Sequence, residues 1–198
     1  ISNSAVADFK MRIFNADGSE AKMCGNGIRC VGKYVYDKGY TNKLHLRIET
    51  LSGIRTLNLQ VTDGKVDNVT VDMGKAAVQE DMRLLVDGAE AVCTPVTVGN
   101  PHAVLFVNDI DKVPLTTIGP KLERHTAFPD GVNVEFVQVL GNNALRMRVW
   151  ERGSGVTMAC GTGACASVMA AISKNYCCYD APVAVHLDGG TLVIRIAS

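Results

Sequence analysis

The chain has 198 residues, enough for one large domain or two small ones. Apolar residues make up 47% of it and charged residues 20%, which is the composition of a globular protein and excludes a disordered one. Lysine plus arginine equals aspartate plus glutamate, 20 of each, so no basic field favours nucleic acid or an anionic membrane as a partner. The longest apolar runs are too short to span a bilayer, and the residues before the first predicted strand do not have the pattern expected of a signal segment.

The first third of the chain predicts one strand, one helix and then three strands. Alternating apolar residues predict a strand over 9–14, and the Asn-Ala-Asp-Gly that follows is turn chemistry. Apolar residues at helical spacing predict a helix over 25–38, ended by Gly39. Strands are predicted over 44–49, 54–61 and 66–72, and Thr-Asp-Gly-Lys between the last two predicts a hairpin turn.

The remainder predicts strands around a second, more apolar helix. A proline-containing region over 86–101 leads to a strand at 103–107, and a helix follows at 115–125. The segment 162–174 is apolar nearly all round, which predicts a buried helix. The other strands are predicted at 132–140, 145–150, 183–187 and 192–196.

Together these elements predict an α+β fold of two pseudo-symmetric halves. Each half is expected to be a curved, mostly antiparallel sheet around a central helix. The N-terminal half is expected to span 1–75, the C-terminal half 76–175, and closing strands 176–198. The two halves should meet near residues 75–100 and again near 175, with a cleft between them.

An internal repeat carries the main functional signal. Residues 11–27, MRIFNADGSEAKMCGNG, align without a gap with residues 147–163, MRVWERGSGVTMACGTG. Five positions are identical in the two copies: Met11 and Met147, Arg12 and Arg148, Cys24 and Cys160, Gly25 and Gly161, Gly27 and Gly163. A repeated motif with a thiol at the start of each helix predicts two thiols that face one another across a shared site.

Such a pair suits the inversion of an amino acid α-carbon. Helix N-termini stabilise anions, so we expect a lowered thiol pKa at Cys24 and Cys160. One thiolate would remove the α-proton while the other thiol donates a proton from the opposite face, and the two would titrate as a coupled pair. Backbone N–H groups at the same helix ends could hold the substrate carboxylate.

The other cysteines are expected to be structural. The seven cysteines are an odd number and include no C-x-x-C pair, which argues against the disulfide framework of a secreted domain and favours a reducing cytoplasm. Small buried residues are the ordinary interpretation of Cys30, Cys93, Cys165, Cys177 and Cys178. The spacing of Cys24 to Cys30, or of Cys160 to Cys165, is not that of a zinc site, so no metal is predicted.

Three further polar motifs are weaker when taken alone. Gly-Asn-Pro-His at 99–102 places Asn100 and His102 at a turn, and the motif taken alone favours a structural turn with a hydrogen-bonded histidine. Asn133 lies at the start of a strand and could simply close a turn. Glu151 and Arg152 follow a strand, where an isolated surface ion pair would contribute little stability.

Taken together, four motifs resemble those of the diaminopimelate epimerase family, in the family's order. They are FNADGSEAKMCGNGIRCVGKY, GNPHAV, FPDGVNVEF and ERGSGVTMACGTGACAS. The resemblance implies the cofactor-independent interconversion of LL- and meso-diaminopimelate, a step in lysine and cell-wall synthesis. It also implies a small-molecule substrate, a cytoplasmic location and a homodimer.

The resemblance also assigns roles to individual residues. Cys24 and Cys160 would be the acid and base, and Glu151 with His102 would help to set proton positions near the reacting amino group. Arg152 would bind the distal carboxylate. The remaining substrate contacts would come from asparagines and from the first residues of the two helices: Asn15, Asn100, Asn133, Gly25, Asn26, Gly161 and Thr162.

Other interpretations stay open at this stage. Proline racemases and hydroxyproline epimerases also pair two thiols, but their first motif usually has histidine where this chain has Asn26, and they lack the Glu-Arg pair. A non-catalytic thiol-containing binding or redox module is the alternative from another class. The family's N-terminal Gly-Asn motif and its last strands are not matched, so the sequence is expected to be truncated at both ends.

Overall fold

A computed structural model describes residues 1–14, 18 and 20–198. The chain divides into two compact units, Ile1–Gly74 and Lys75–Ser198. The predicted turn at 15–18 lies largely outside the described residues, as does Asn15. Among the described residues, no helix is both long and apolar enough to cross a membrane.

The first unit is a small sheet covered by one helix. Its elements are β1 (Phe9–Lys10), β2 (Ile13–Phe14), β3 (Glu20–Ala21), α1 (Gly25–Asp37), β4 (His45–Thr50), β5 (Gly53–Thr62) and β6 (Lys65–Val71). The sheet order is β1-β4-β5-β6, and only the β1–β4 pair is parallel. The predicted single strand over 9–14 is wrong, because β1 pairs with β4 whereas β2 leaves that sheet and pairs with β3.

Helix α1 is amphipathic and packs its apolar face on this sheet. Ile28 and Val35 are almost completely buried in a core with Leu57 and other strand residues. Gly32 permits the close approach, because a Cβ at that position would lie 2.7 Å from a Leu57 methyl group. The predicted hairpin turn between β5 and β6 is confirmed, with Gly64 at a φ of 73° that a glycine adopts without strain.

The second unit is a larger curled sheet. Its elements are β7 (Ala77–Val78), β8 (Met82–Val86), β9 (Ala89–Thr97), β10 (Pro101–Phe106), a 3-10 turn (Ile110–Lys112), α2 (Leu115–Glu123), β11 (Asn133–Gly141), β12 (Ala144–Glu151), β13 (Gly155–Thr157), α3 (Gly161–Ser173), β14 (Val183–Leu187) and β15 (Gly190–Ile194). The sheet runs β15-β14-β12-β11-β10-β9-β7, with β13 on β12 and β8 on β9. Two pairs, β10–β11 and β12–β14, are parallel, and the other pairs are antiparallel.

Helix α3 occupies the concave side of this sheet and contacts strands along its full width, from β7 to β15. Every residue from Gly163 to Ile172 is buried, which confirms the prediction of a buried helix. The predicted fold class, curved and mostly antiparallel sheets each with a helix against it, is therefore confirmed.

The proline-containing region 86–101 is mostly strand, because β9 occupies Ala89–Thr97 within it. Pro95 lies inside β9, at the point where the neighbouring strand changes from β8 to β7. Its carbonyl accepts a hydrogen bond from the Gln79 N–H at 2.9 Å. Proline has no N–H to donate to a neighbouring strand. Pro95 is tolerated because it lies between the residues of β9 that pair with β8 and those that pair with β7.

Candidate active site

The two repeated cysteines occupy the same position in two helices of equal length. Cys24 is the N-cap of α1 and Cys160 is the N-cap of α3, and each helix has 13 residues. Their backbones are extended, with φ and ψ of −139° and 116° at Cys24 and of −128° and 114° at Cys160. The predicted placement of both thiols at helix N-termini is confirmed.

Each thiol accepts a hydrogen bond from the glycine three residues later. The Gly27 N–H donates to Cys24 Sγ at 3.4 Å, and the Gly163 N–H donates to Cys160 Sγ at 3.3 Å. A sulfur atom thus takes the capping position that a serine or aspartate oxygen usually fills. A donor that points at sulfur stabilises the thiolate relative to the thiol.

The surroundings of the two thiols differ. Cys24 is half-buried, whereas Cys160 is buried with 6% of its surface exposed. Burial raises the pKa of the Cys160 thiol to about 12, and the carboxyl groups of Glu151 and Glu135 act in the same direction. Thr162 and the Gly163 N–H lower the pKa but do not offset burial. The expected lowering of the thiol pKa is therefore wrong for Cys160, because desolvation exceeds the effect of the helix terminus.

A chain of polar groups approaches Cys160 from β10. Thr162 Oγ1 lies 3.5 Å from Cys160 Sγ, and the Asn100 amide nitrogen donates to the same hydroxyl at 3.4 Å. The other amide atom, Asn100 Oδ1, faces His102 Nε2 at 3.0 Å. The structure thus brings three predicted site residues, Asn100, His102 and Thr162, to one thiol.

Sequence analysis missed Glu135, the buried partner of His102. His102 Nδ1 lies 2.7 Å from Glu135 Oε1, and both side chains are fully buried. Strands β10 and β11 are parallel and in register, with His102 opposite Asn133, which places Glu135 two residues further along β11. A carboxylate among apolar residues of a buried strand was the available signal, but its partner lies 33 residues away in sequence.

One oxygen of this carboxyl group is unsatisfied. Among the described residues, Glu135 Oε2 is buried and has no hydrogen-bond partner. A buried polar atom without a partner costs on the order of 1–3 kcal/mol. The fold therefore keeps Glu135 at a cost in stability, which is typical of functional positions.

Glu151 ends β12 and lies beside the same thiol. Its carboxylate accepts a hydrogen bond from Thr157 Oγ1 on β13. Burial raises the pKa of Glu151, the Thr157 hydroxyl lowers it, and the charge of Glu135 raises it further. His102 and a hydrogen bond from Cys160 act in the lowering direction. Glu151, Glu135, His102 and Cys160 thus form one electrostatic cluster.

Asn133 and Arg152 occupy the strand ends next to this cluster. The Asn133 amide nitrogen donates to the Pro101 carbonyl at 2.9 Å, and its oxygen accepts from the Arg152 N–H at 3.0 Å. Asn133 therefore links the start of β10 to the end of β12. The Arg152 side chain is exposed, and its Nη1 donates to the Asp130 carbonyl at 2.9 Å.

The first unit carries the other predicted site residues. Gly25 is buried in the first turn of α1, and Asn26 Oδ1 accepts a hydrogen bond from the Arg29 guanidinium at 2.6 Å. In the second unit, Gly161 and Thr162 occupy the matching positions of α3 and are half-buried. Among the described residues, no group of three or more His, Cys, Asp or Glu side chains is arranged to hold a metal ion.

Comparison with known proteins identifies the family. A family model described as diaminopimelate epimerase matches residues 1–79 and 94–198. The chain belongs to the diaminopimelate epimerase family. This family membership confirms the resemblance that the four motifs indicated, and it makes the chain a member of a family of isomerases.

Individual relatives in the diaminopimelate epimerase family are similar over nearly the whole chain. A protein from Phocaeicola vulgatus named diaminopimelate epimerase is 52% identical, and the match covers 98% of this chain and 73% of the relative. One of the same name from Acetivibrio thermocellus is 50% identical, with 96% of this chain and 71% of the relative covered.

Solved structures of lower identity share the fold. A hydroxyproline epimerase from Agrobacterium vitis, solved with bound trans-4-hydroxy-L-proline, has a TM-score of 0.74 at 19% identity. The match covers 94% of this chain and 63% of the other. At this identity the likeness concerns the fold alone, and it agrees with the α+β architecture described above.

Proposed function

We propose that this chain epimerises LL-diaminopimelate to meso-diaminopimelate by a two-base mechanism that uses Cys24 and Cys160. The observation that carries the proposal is the matched pair of helix caps. Each of two 13-residue helices has a cysteine as its N-cap, and the sulfur of that cysteine accepts a hydrogen bond from the N–H of the glycine three residues later. Two relatives whose sequences are 52% and 50% identical to this chain are named diaminopimelate epimerase.

The reaction requires one thiolate and one thiol at a time. The thiolate takes the α-proton, and the electron pair of the broken C–H bond is delocalised into the α-carboxylate. The second thiol then gives its proton to the opposite face of the carbon, which forms the inverted C–H bond and leaves a new thiolate. The raised pKa of Cys160 supports its role as the neutral thiol that donates in one direction.

The α-carboxylate would be held by the first residues of the two helices. Gly25 and Asn26 lie in the first turn of α1, and Gly161 and Thr162 lie in the first turn of α3, where backbone N–H groups point toward the N-terminal end of the helix. N–H groups at helix termini favour a negative charge, and the charge of the carboxylate increases as the α-proton leaves. The arrangement would therefore stabilise the transition state more than the bound substrate.

The rest of the substrate would contact the strand ends of the second unit. Arg152, whose guanidinium is exposed, would pair with the distal carboxylate, and Asn100 and Asn133 would bind polar groups, as would Asn15. His102 and Glu151, which lie in the cluster around Cys160, would set proton positions. The proposal needs no cofactor or metal, since both proton transfers use thiols.

The proposal extends to the arrangement of the whole protein. The proposed organisation is an N-terminal half over 1–75, a C-terminal half over 76–175 and closing strands over 176–198. A homodimer and a cytoplasmic location, both implied by the family resemblance, complete it.

The test is proton NMR of LL-diaminopimelate in deuterated water with this chain, with the Acetivibrio thermocellus relative as a positive control. We expect meso product that carries deuterium at the inverted carbon. Cys24→Ala and Cys160→Ala should each abolish the reaction, whereas Cys178→Ala, which removes an exposed cysteine, should not. Full activity in either single variant would contradict the two-thiol mechanism, and exchange with proline or hydroxyproline alone would indicate a racemase of that type.

A further inference from the structure

We propose that Glu135 is a positioning residue for the Cys160 thiol, acting through a hydrogen-bond relay that runs over His102, Asn100 and Thr162. The inference rests on the proposed function, since it concerns the orientation of a hydrogen bond to Cys160, one of the two thiols proposed to react. Glu135 itself does not touch the reacting atoms.

The relay is continuous in the structure. Glu135 Oε1 lies 2.7 Å from His102 Nδ1, and His102 Nε2 lies 3.0 Å from Asn100 Oδ1. From there, Asn100 Nδ2 lies 3.4 Å from Thr162 Oγ1, and Thr162 Oγ1 lies 3.5 Å from Cys160 Sγ. Four contacts therefore connect a fully buried carboxyl group to the thiol.

Donor and acceptor requirements give the relay a direction. The Asn100 oxygen can only accept, so His102 Nε2 carries a proton and donates it. One proton also lies between His102 Nδ1 and Glu135, whichever of the two carries it, and it holds the ring in this orientation. The Asn100 NH₂ group is then turned toward Thr162, and its donation to Oγ1 leaves the Thr162 O–H free to donate to sulfur.

Loss of Glu135 would reverse this order. Without a partner for Nδ1, His102 can keep its single proton on Nδ1 and leave Nε2 as an acceptor. The Asn100 amide would then turn its nitrogen to His102 and its oxygen to Thr162. The Thr162 hydroxyl would donate to that oxygen instead of to Cys160, so the thiolate would lose one hydrogen bond.

The relay and the charge of Glu135 have opposite effects on the Cys160 thiolate, so the direction of a change in thiol reactivity distinguishes them. An anionic Glu135 disfavours the Cys160 thiolate, so removing the charge alone would make the thiol more reactive. Removing the relay would make it less reactive. Glu135→Gln removes the charge but keeps an N–H donor for His102 Nδ1, whereas Glu135→Leu removes both.

The experiment measures the alkylation rate of Cys160 by iodoacetamide at one fixed alkaline pH, followed by peptide mass spectrometry. Both variants lack the charge, and only Glu135→Gln keeps a donor for His102 Nδ1, so the difference between them measures the relay. We expect Glu135→Gln to react at least as fast as the unmodified chain and Glu135→Leu to react about fivefold more slowly than Glu135→Gln, which corresponds to the loss of one typical hydrogen bond. Equal alkylation rates in the two variants, or a faster rate in Glu135→Leu than in Glu135→Gln, would overturn the relay. Glu123→Gln is the matched control, because Glu123 is also buried but binds Trp150 and the Gly153 N–H instead.

A second measurement does not depend on whether the variants fold. The chain has only four histidines, so nitrogen-15 NMR can resolve the His102 ring. The relay requires a proton on Nε2 in the unmodified chain, and an unprotonated Nε2 would overturn it. Neither measurement uses diaminopimelate, so a failed relay is distinct from a failed epimerase, which would show as absent deuterium incorporation by the unmodified chain.

Discussion

Gly163 faces Glu135 so closely that a Cβ on Gly163 would lie 2.6 Å from the carboxyl Oε1. The contact joins the first turn of α3 to the N-terminal part of β11. Glu135 is fully buried and held by His102, so it cannot move aside as the end of an exposed side chain would. Gly163 is therefore required by close approach.

This contact predicts a difference between two matched substitutions. Gly163→Ala should lower the free energy of unfolding by about 1–3 kcal/mol, the usual cost of overpacking a buried site. Gly27→Ala, at the same position in α1, places its Cβ 3.3 Å from the flexible Ile13 Cδ1, and the helix gains from alanine. Urea unfolding of both variants measures the difference, and equal stabilities would contradict the steric argument.

Thiol reactivity should follow exposure and pKa. The expectation of buried cysteines is wrong for Cys30 and Cys178, which are exposed and should be alkylated first at neutral pH. Burial raises the pKa of Cys93 and of Cys165 to about 11 and contributes most to the value of about 12 at Cys160, so these three should react slowly. Peptide mass spectrometry after timed labelling gives the order in which the cysteines are alkylated. Labelling in urea is the control, because unfolding should abolish the differences in rate between the cysteines. Cys160 reacting as fast as Cys178 in the folded chain would contradict the structure.

Arg152 tests the proposed distal contact. The Arg152 side chain is exposed, and its guanidinium donates a hydrogen bond to the Asp130 carbonyl. Because an exposed hydrogen bond contributes little, loss of the side chain should cost little stability. Arg152→Ala should raise KM for diaminopimelate by at least about tenfold, as expected when a charged contact to substrate is lost. Arg152→Lys is the control that retains charge without the planar guanidinium. A KM unchanged in Arg152→Ala would remove the residue from the site.

Asp81 provides a prediction about pH. It accepts hydrogen bonds from Lys174, at the C-terminal end of α3, and from Thr94 on β9, and these contacts lower the pKa of Asp81. A depressed folded-state pKa stabilises the fold above the unfolded value of 3.8, and the contribution is lost as the pH falls through the folded value. Asp81→Asn should therefore destabilise the chain by about 0.5–1 kcal/mol at pH 7, since the pair is partly exposed.

The same comparison at low pH contains its own control. Once the carboxyl of Asp81 is protonated, the unmodified chain and Asp81→Asn should unfold at the same urea concentration. A stability difference that persists below the folded pKa would show that the substitution acts through packing rather than through the charge of Asp81.

The helices and their caps were predictable from the sequence because their signals are local. Cys24 and Cys160 precede Gly-x-Gly and a helical apolar pattern, and both caps lie where that pattern begins. The central part of β9 was not predictable, because Pro95 usually interrupts a strand and is tolerated here only through the change of neighbouring strand.

The electrostatics of the site required the tertiary structure. A helix N-terminus favours a thiolate, but burial around Cys160 depends on strands that are distant in sequence. Glu135 was missed for the same reason, since only the parallel register of β10 and β11 brings it to His102. The asparagines and Arg152 were identified from motifs, and their roles stay predictions.

The two helices begin alike but continue in different environments. One side of α1 is open to solvent at Cys30, Lys33 and Tyr34, whereas α3 is enclosed by protein for ten consecutive residues. Random variation should therefore accumulate on the outer side of α1 and be almost absent from α3. If the two copies arose by duplication, packing restricts substitutions in α3 more than in α1, so the sequence of α3 should have changed less since the duplication.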